Sequence, residues 1–247
     1  YTRALLRELK RRGLNGAVPH FRGCSGEPNR KLRAYHSGDA AEIDWILRRF
    51  AERFPGVPRY ASGVSLGGNA LLVWLGQQGS DARKLLTAAA AISAPHDLTA
   101  CGHHLARGLN RIYSLNFLAT LKRSALTKLV RFPGSYDAKR LRAARNLYEF
   151  DEIVTAPLHG FASAEDYWRR ASAKPWLKQI EIPTLVLNAR NDPFLPAQAF
   201  PSEKDISAAV TLELPQEGGH AGFVGGSFPG HLDWLPRRLL HFFDQQS

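Results

Sequence analysis

The chain reads as an α/β protein, a mostly parallel sheet with helices on both faces and a helical cap inserted after a central strand. Three observations predict this. Short apolar strand patterns alternate with amphipathic helical patterns over residues 1–95 and again over 177–247, the order that a parallel sheet with crossover helices requires. Between them, residues 96–176 carry helical patterns broken by Gly, Pro and Asp and contain no convincing strand. A length of 247 residues with 44% hydrophobic content supplies one large core without help from disulfides or metal. The expected organisation is therefore a core in two parts, 1–95 and 177–247, with the cap at 96–176.

The elements follow in order. Residues 2–12 place Leu5, Leu6 and Leu9 at helical spacing among Arg and Lys, and Gly13 is the stop. Residues 16–21 look like a short strand, although Pro19 must then sit where no ladder hydrogen bond is needed. The stretch 21–28 is a loop by composition. Residues 39–54 form an amphipathic helix with Ile43, Ile46, Leu47 and Phe50 on one face, capped by Ser37 or Asp39. Buried strands are expected at 59–64 and 85–92, with a Leu- and Ala-rich helix at 67–78 between them. After the cap come strands at 184–188 and 210–214 and a terminal helix at 231–243. The longest apolar run, near residues 85–92, is far short of the ~20 residues of a membrane span.

Only two cysteines are present, Cys24 and Cys101. That excludes a disulfide scaffold and multi-cysteine zinc sites, and it fits a reducing, cytoplasmic setting. The chain has no methionine and opens on Tyr1 directly in a helical pattern. We therefore expect strands to precede it, and a protein physically beginning at Tyr1 to fold poorly and turn over slowly.

The net charge is +11 and the isoelectric point about 10.0. Ten Lys and Arg face three Asp and Glu between His96 and Phe150. No nucleic-acid motif accompanies this excess, so nucleic acid is not the expected partner. A basic cap that lines the pocket, or one that docks on an anionic membrane surface, explains it as well, as does a solvated face that aids solubility.

The chemistry centres on Gly63-Val64-Ser65-Leu66-Gly67, between a strand and a helix. G-x-S-x-G is weak as a bare pattern. At a strand–helix junction it is the signature of a nucleophile elbow, in which flanking glycines let the backbone turn sharply around an exposed serine. The helix start aims free N–H groups at that serine, and the Leu66 N–H is placed as one oxyanion donor. A serine nucleophile needs a base, and the base an orienting acid. Asp192 follows the strand at 184–188, and His220 follows the strand at 210–214 within Gly218-Gly219-His220-Ala221-Gly222. The competing reading of Asp192 is an Asx turn before Pro193; that of His220 is core filling, which three small neighbours disfavour.

Three segments carry a family resemblance. They are Phe21-Arg22-Gly23-Cys24-Ser25-Gly26-Glu27-Pro28-Asn29-Arg30, then Tyr35-His36-Ser37-Gly38, then Gly63 through Asn69. The chain resembles the YheT-like bacterial esterases of the α/β-hydrolase superfamily (the AB hydrolase 4 family). Asp192-Pro193-Phe194 and Gly218 through Phe223 are similar to that family's acid and histidine segments. The resemblance implies an α/β-hydrolase fold and a charge relay of Ser65, Asp192 and His220. It also implies a second oxyanion donor from a His-Gly loop that in the family lies just before the position of Tyr1.

The expected activity is hydrolysis of small acyl esters, short- to medium-chain or lipid-like, with no cofactor and no metal. The cap residues Leu105, Leu109, Ile112, Phe117, Leu118, Leu121, Leu129 and Val130 suit an acyl-chain lining or the cap's own core. Two alternatives stay open: an acyltransferase using the same triad, and a low-turnover binding module on a hydrolase fold. Should Asp192 not serve, Asp151 or Glu152 would be the orienting acid. Arg22 either locks its loop to the sheet or touches substrate. Cys24 is expected to be small buried packing, and the pair His103-His104 to be solvated or packed in the lid, since adjacent helical residues face apart.

Overall fold

A computed structural model describes residues 1–246. Strands β1 (Tyr60–Val64), β2 (Ala88–Ile92), β3 (Thr184–Leu187) and β4 (Val210–Glu213) lie in that order across one parallel sheet. Gly63 pairs with Ala91, Ala91 with Val186, and Val186 with Leu212. Side chains alternate between faces with the period of two that an extended strand dictates. Ala89, Ala91 and Val186 enter one core with α2 (Ala40–Arg53) and α3 (Leu66–Gln78). Ala88, Ala90, Ile92, Leu185 and Leu187 enter the other, against α1 (Thr2–Arg11) and the C-terminal helix α10 (Trp234–Asp244).

Asp39 is the cap of α2: its Oδ1 accepts the Glu42 N–H at 3.3 Å. Helix α3 is buried continuously from Gly68 to Gly76, because it lies between the sheet, α2 and the short turn Lys174–Gln179. A helix apolar on nearly all sides is what such a sandwiched position requires; its one buried polar side chain is Asn69.

Between β2 and β3 the chain forms α4 (Leu98–Leu105), α5 (Asn110–Arg131), α6 (Ala138–Ala143), α7 (Leu147–Phe150), α8 (Ala156–His159) and α9 (Ala164–Ala171). This segment leaves the C-terminal end of β2 and carries its own apolar seams. One joins Leu118 and Ala125 to Leu141, Phe150 and Val154; another joins Leu98, Ala156, Tyr167, Trp168 and Ala171.

Among the elements and cysteines the structure differs from the sequence expectation as follows. Residues 16–21 form no strand, and Leu14 and Val18 nearby are exposed. Pro19 lacks the N–H a ladder needs, and β1 pairs with β2 alone. The expected strand 85–92 begins only at Ala88, because the Leu85 and Leu86 N–H groups both donate to the Ala82 carbonyl. The terminal helix begins at Trp234, since His231 is engaged in a bridge with Gly225. Cys24 is exposed rather than buried.

Arg22 fastens its loop to helix α2 rather than to the sheet. Its guanidinium makes a two-pronged pair with Glu42, which Arg33 also approaches at 3.4 Å.

Asp151 lies in the turn Asp151–Thr155 between α7 and α8. It accepts the Thr155 hydroxyl at 2.5 Å and the Trp168 indole N–H at 2.8 Å. Burial pushes its carboxyl up to about 6, against the pull of those two bonds. A raised folded pKa means that the group's stabilisation is complete below the ordinary carboxylate range and is lost as pH rises through about 6. Asp151→Asn keeps both contacts, with its amide donating to Thr155, and removes the charge. We expect the variant to be more stable than wild type at pH 8, with most of the difference gone at pH 4. Urea unfolding at both pH values checks this, and a variant less stable at pH 8 would contradict it.

Candidate active site

Strand β1 ends at Val64, and Ser65 occupies the turn with φ 54° and ψ −123°. A non-glycine residue at positive φ costs on the order of 1–3 kcal/mol and persists only where the surroundings enforce it. Here the Ser65 N–H still donates to the Ile92 carbonyl at 2.8 Å, while its own carbonyl accepts from Asn69 in the first turn of α3. The backbone is thus held from both sides. A Cβ on Gly63 would fall 2.4 Å from the Gly67 oxygen, and one on Gly68 would fall 3.0 Å from the Gly63 oxygen. At Gly67 a Cβ would meet only the Phe21 ring at 3.8 Å. The tight packing therefore needs Gly63 and Gly68, not the Gly63 and Gly67 expected from the motif. Leu66 opens α3, so its N–H has no acceptor one turn back.

Asp192 and His220 come from the loops after β3 and β4. The Asp192 side chain is fully buried and that of His220 is 20% exposed. Asp192 Oδ1 accepts the Phe194 N–H at 2.9 Å, and Oδ2 accepts His220 Nδ1–H at 2.8 Å. The Asx turn and the contact with histidine, competing readings of the sequence, are made by different oxygens of one carboxylate. With Nδ1 protonated, Nε2 is left to accept the Ser65 hydroxyl, 2.9 Å away. The structure thus brings Ser65, His220 and Asp192 into one hydrogen-bonded line.

The histidine loop is held from behind. Ala221 N–H donates to Ser93 Oγ at 3.1 Å, Gly219 N–H to Asn191 Oδ1 at 2.9 Å, and Phe223 N–H to the Gly218 carbonyl at 2.8 Å. Ser93 is buried just past β2 and has φ 51°. Ser65, Ser93, Ala221 and Phe223 are the non-glycine residues at positive φ among those described. All four belong to this site or its support, so the backbone strain is concentrated here. Beside them, buried His96 donates through Nε2 to Asn188 Oδ1 at 3.0 Å, joining the ends of β2 and β3; burial pushes this imidazole down to about 4, so it stays neutral.

Two further groups were not legible as site residues in the sequence. Phe194 lies over the His220 ring with centroids 4.4 Å apart, and Tyr113 and Phe117 of α5 pack on Phe194 at 5.0 and 5.7 Å. The spacing of Phe194, two residues past Asp192, is the one signal that could have found it. Asn69 is fully buried, donates to the Ser37 and Ala171 carbonyls at 2.8 and 2.7 Å, and accepts the Ala173 N–H at 3.0 Å. It ties the start of α3 to residues 35–38 and to the end of α9, where the Ser37 N–H donates to the Tyr167 hydroxyl.

Other candidates lie apart. Asp151 contacts Thr155 and Trp168, and Glu152 accepts the Ala164 N–H, so neither orients His220. His104 Nε2 sits 3.2 Å from the Pro193 carbonyl oxygen, while half-exposed His103 packs against Trp168. The expected acyl lining divides: Leu118, Leu121 and Leu129 fill the inner seam of α5, Phe117 meets Phe194, and Leu109, Ile112 and Val130 are exposed.

Ser93→Ala is expected to lower kcat roughly 10–100-fold with little change in KM, because the loop that carries His220 loses a buried anchor. Steady-state kinetics beside a thermal melt check this; unchanged kcat would show that the loop is positioned without Ser93.

A profile of the α/β-hydrolase fold matches residues 1–227. YheT of Escherichia coli (strain K12), which bears an esterase name, is 41% identical over 241 residues, covering 97% of this chain and 70% of that protein. Phospholipase ABHD3 of Mus musculus is 34% identical over 232 residues, 93% of this chain but 56% of its own length. The chain thus spans little more than half of the ABHD3 relative. Among solved structures, a monoacylglycerol lipase of Paleococcus ferrophilus has a TM-score of 0.56 at 16% identity, covering 98% of this chain and 88% of that one. An esterase of Pyrococcus furiosus has 0.57 at 15%, covering 99% and 76%. At such identities the likeness is one of fold.

Proposed function

The chain belongs to the α/β-hydrolase fold family, on its YheT-like branch, and from that premise we propose that it is a serine-dependent carboxylic ester hydrolase. The observation that carries the reading is the continuous line from Ser65 Oγ through His220 to buried Asp192, at 2.9 and 2.8 Å. These are the distances general-base catalysis requires.

In the proposed mechanism Ser65 Oγ attacks the acyl carbonyl carbon while its proton passes to His220 Nε2. Asp192 holds the imidazole with Nδ1 protonated and stabilises the imidazolium that forms. The Leu66 N–H donates to the developing oxyanion. The tetrahedral intermediate collapses, and the alcohol leaves with the proton from His220. Water then attacks the acyl-serine, giving its proton to His220. The second collapse releases the carboxylic acid and returns the proton to Ser65. No cofactor enters these steps. Within this proposal residues 96–176 act as a cap over a core made of 1–95 and 177–247. The substrate is a small acyl ester, and the free thiols Cys24 and Cys101 suit a cytoplasmic setting.

Labelling by a fluorophosphonate tests the nucleophile, and turnover of p-nitrophenyl esters from acetate to palmitate tests the reaction and its chain length. We expect a single label on Ser65 and hydrolysis of at least part of the ester series. Labelling without hydrolysis, but with ester formation when an alcohol is supplied, would turn the assignment to an acyltransferase. No label and no turnover would leave a binding module.

A further inference from the structure

Helix α5 is apolar on two sides, and only one of them is covered. Ser114, Leu118 and Ala125 mark its buried side. On the opposite side Leu109, Ile112, Leu115, Ala119 and Val130 recur at three-, three-, four- and eleven-residue spacing, which in a helix is one stripe. Their exposure is large: 83% for Leu109, 67% for Ile112, 51% for Leu115 and 81% for Val130. Leu109, Ile112, Leu115 and Ala119 form an apolar patch over the first turns, and Val130 lies on the same face beyond Arg123 and Thr127; clustered exposure of this kind marks a contact surface rather than scattered exposure.

The charge beside the stripe selects what covers it. Helix α5 contains no acidic residue in its 22 positions. Lys122, Lys128 and Arg131 are spent on carbonyl oxygens of neighbouring segments. Arg111 and Arg123, with Arg107 just before the helix, are exposed and have no acidic partner among the described residues. A second copy of this chain packed symmetrically on the stripe would bring these guanidinium groups against their own kind. An anionic phospholipid surface satisfies both features, taking the aliphatic side chains below its headgroups and the guanidinium groups among its phosphates.

We propose that α5 is a membrane-docking helix that lays the Leu109–Ile112–Leu115–Val130 stripe onto an anionic phospholipid surface. This goes beyond the ester-hydrolase reading and does not rest on it. The same helix presents Tyr113 and Phe117 to Phe194, which lies on His220. Docking therefore sets the wall of the histidine beside the lipid surface.

The test is sedimentation of the full-length protein with phosphatidylglycerol or phosphatidylcholine vesicles, at low and at high salt. Two double variants are compared with wild type: Ile112→Ser with Leu115→Ser, and Arg111→Gln with Arg123→Gln. Wild type should bind phosphatidylglycerol at low salt, be released by high salt, and ignore phosphatidylcholine. Each double variant should bind about tenfold more weakly. All four residues are exposed, so both variants should keep the wild-type melting temperature. Ser65→Ala protein should bind as wild type does, which separates this proposal from the catalytic one. Equal binding by wild type and variants, or none by wild type, overturns it. So does a concentration-dependent dimer that Ile112→Ser with Leu115→Ser abolishes, since the stripe would then be covered by a second copy.

Discussion

Replacing Ser65 with alanine is expected to lower kcat for any ester substrate by on the order of 10⁶, the usual cost of losing a nucleophile that acts as a unit with its base. The variant removes one oxygen from a half-buried position and leaves the turn itself intact, since the Ser65 N–H and carbonyl make the bonds that shape it. Alanine at φ 54° is no easier than serine, so stability should change little. Activity within tenfold of wild type would sink the assignment of Ser65, whatever became of the fluorophosphonate label.

Asp192→Asn is the second large effect, a loss of about 10⁴ in kcat. Its cause is a proton in the wrong place. Asp192 Oδ1 accepts a backbone N–H from Phe194, and an asparagine oxygen can do the same. The amide nitrogen is then turned toward His220 Nδ1, where it donates instead of accepting. His220 answers by carrying its proton on Nε2, the atom that must receive the Ser65 proton. The variant should fold, bind substrate with similar KM, and fail in the chemical step. A benign Asp192→Asn would mean that no buried carboxylate is needed here, because Asp151 and Glu152 are committed to contacts between β2 and β3.

Much of the site was legible because each of its three residues sits in a local pattern that chemistry constrains. A serine between glycines at a strand–helix junction, an acid after the third described strand and a histidine among small residues after the fourth are all readable as order and spacing. The helical segment between β2 and β3 was legible for a different reason: over residues 96–176 the helical period persists where strand periodicity stops. What failed was the fate of single side chains. Leu118 and Ile112 look alike in sequence, six residues apart on one helix, yet one fills a seam and the other faces solvent. Periodicity assigns faces to a helix but does not say which face meets a neighbour. The edges of the elements failed likewise, as at Leu85 and Leu86, where competing turn bonds to Ala82 decide the boundary.

By itself, then, the sequence determined the alternating parallel architecture, the inserted helical segment and the identities of Ser65, Asp192 and His220 as candidates. Those depend on period, punctuation and order, which are properties of a chain read in one dimension. Only the tertiary structure decided that Gly63 and Gly68, and not Gly67, are the positions without room for a side chain, that Asn69 knots α3 to residues 35–38 and α9, and that Ser93 and Phe194 support His220. Each of these joins residues between four and more than a hundred positions apart through contacts a few ångströms long. Such contacts are set by how packed elements fill space, and no local pattern encodes them.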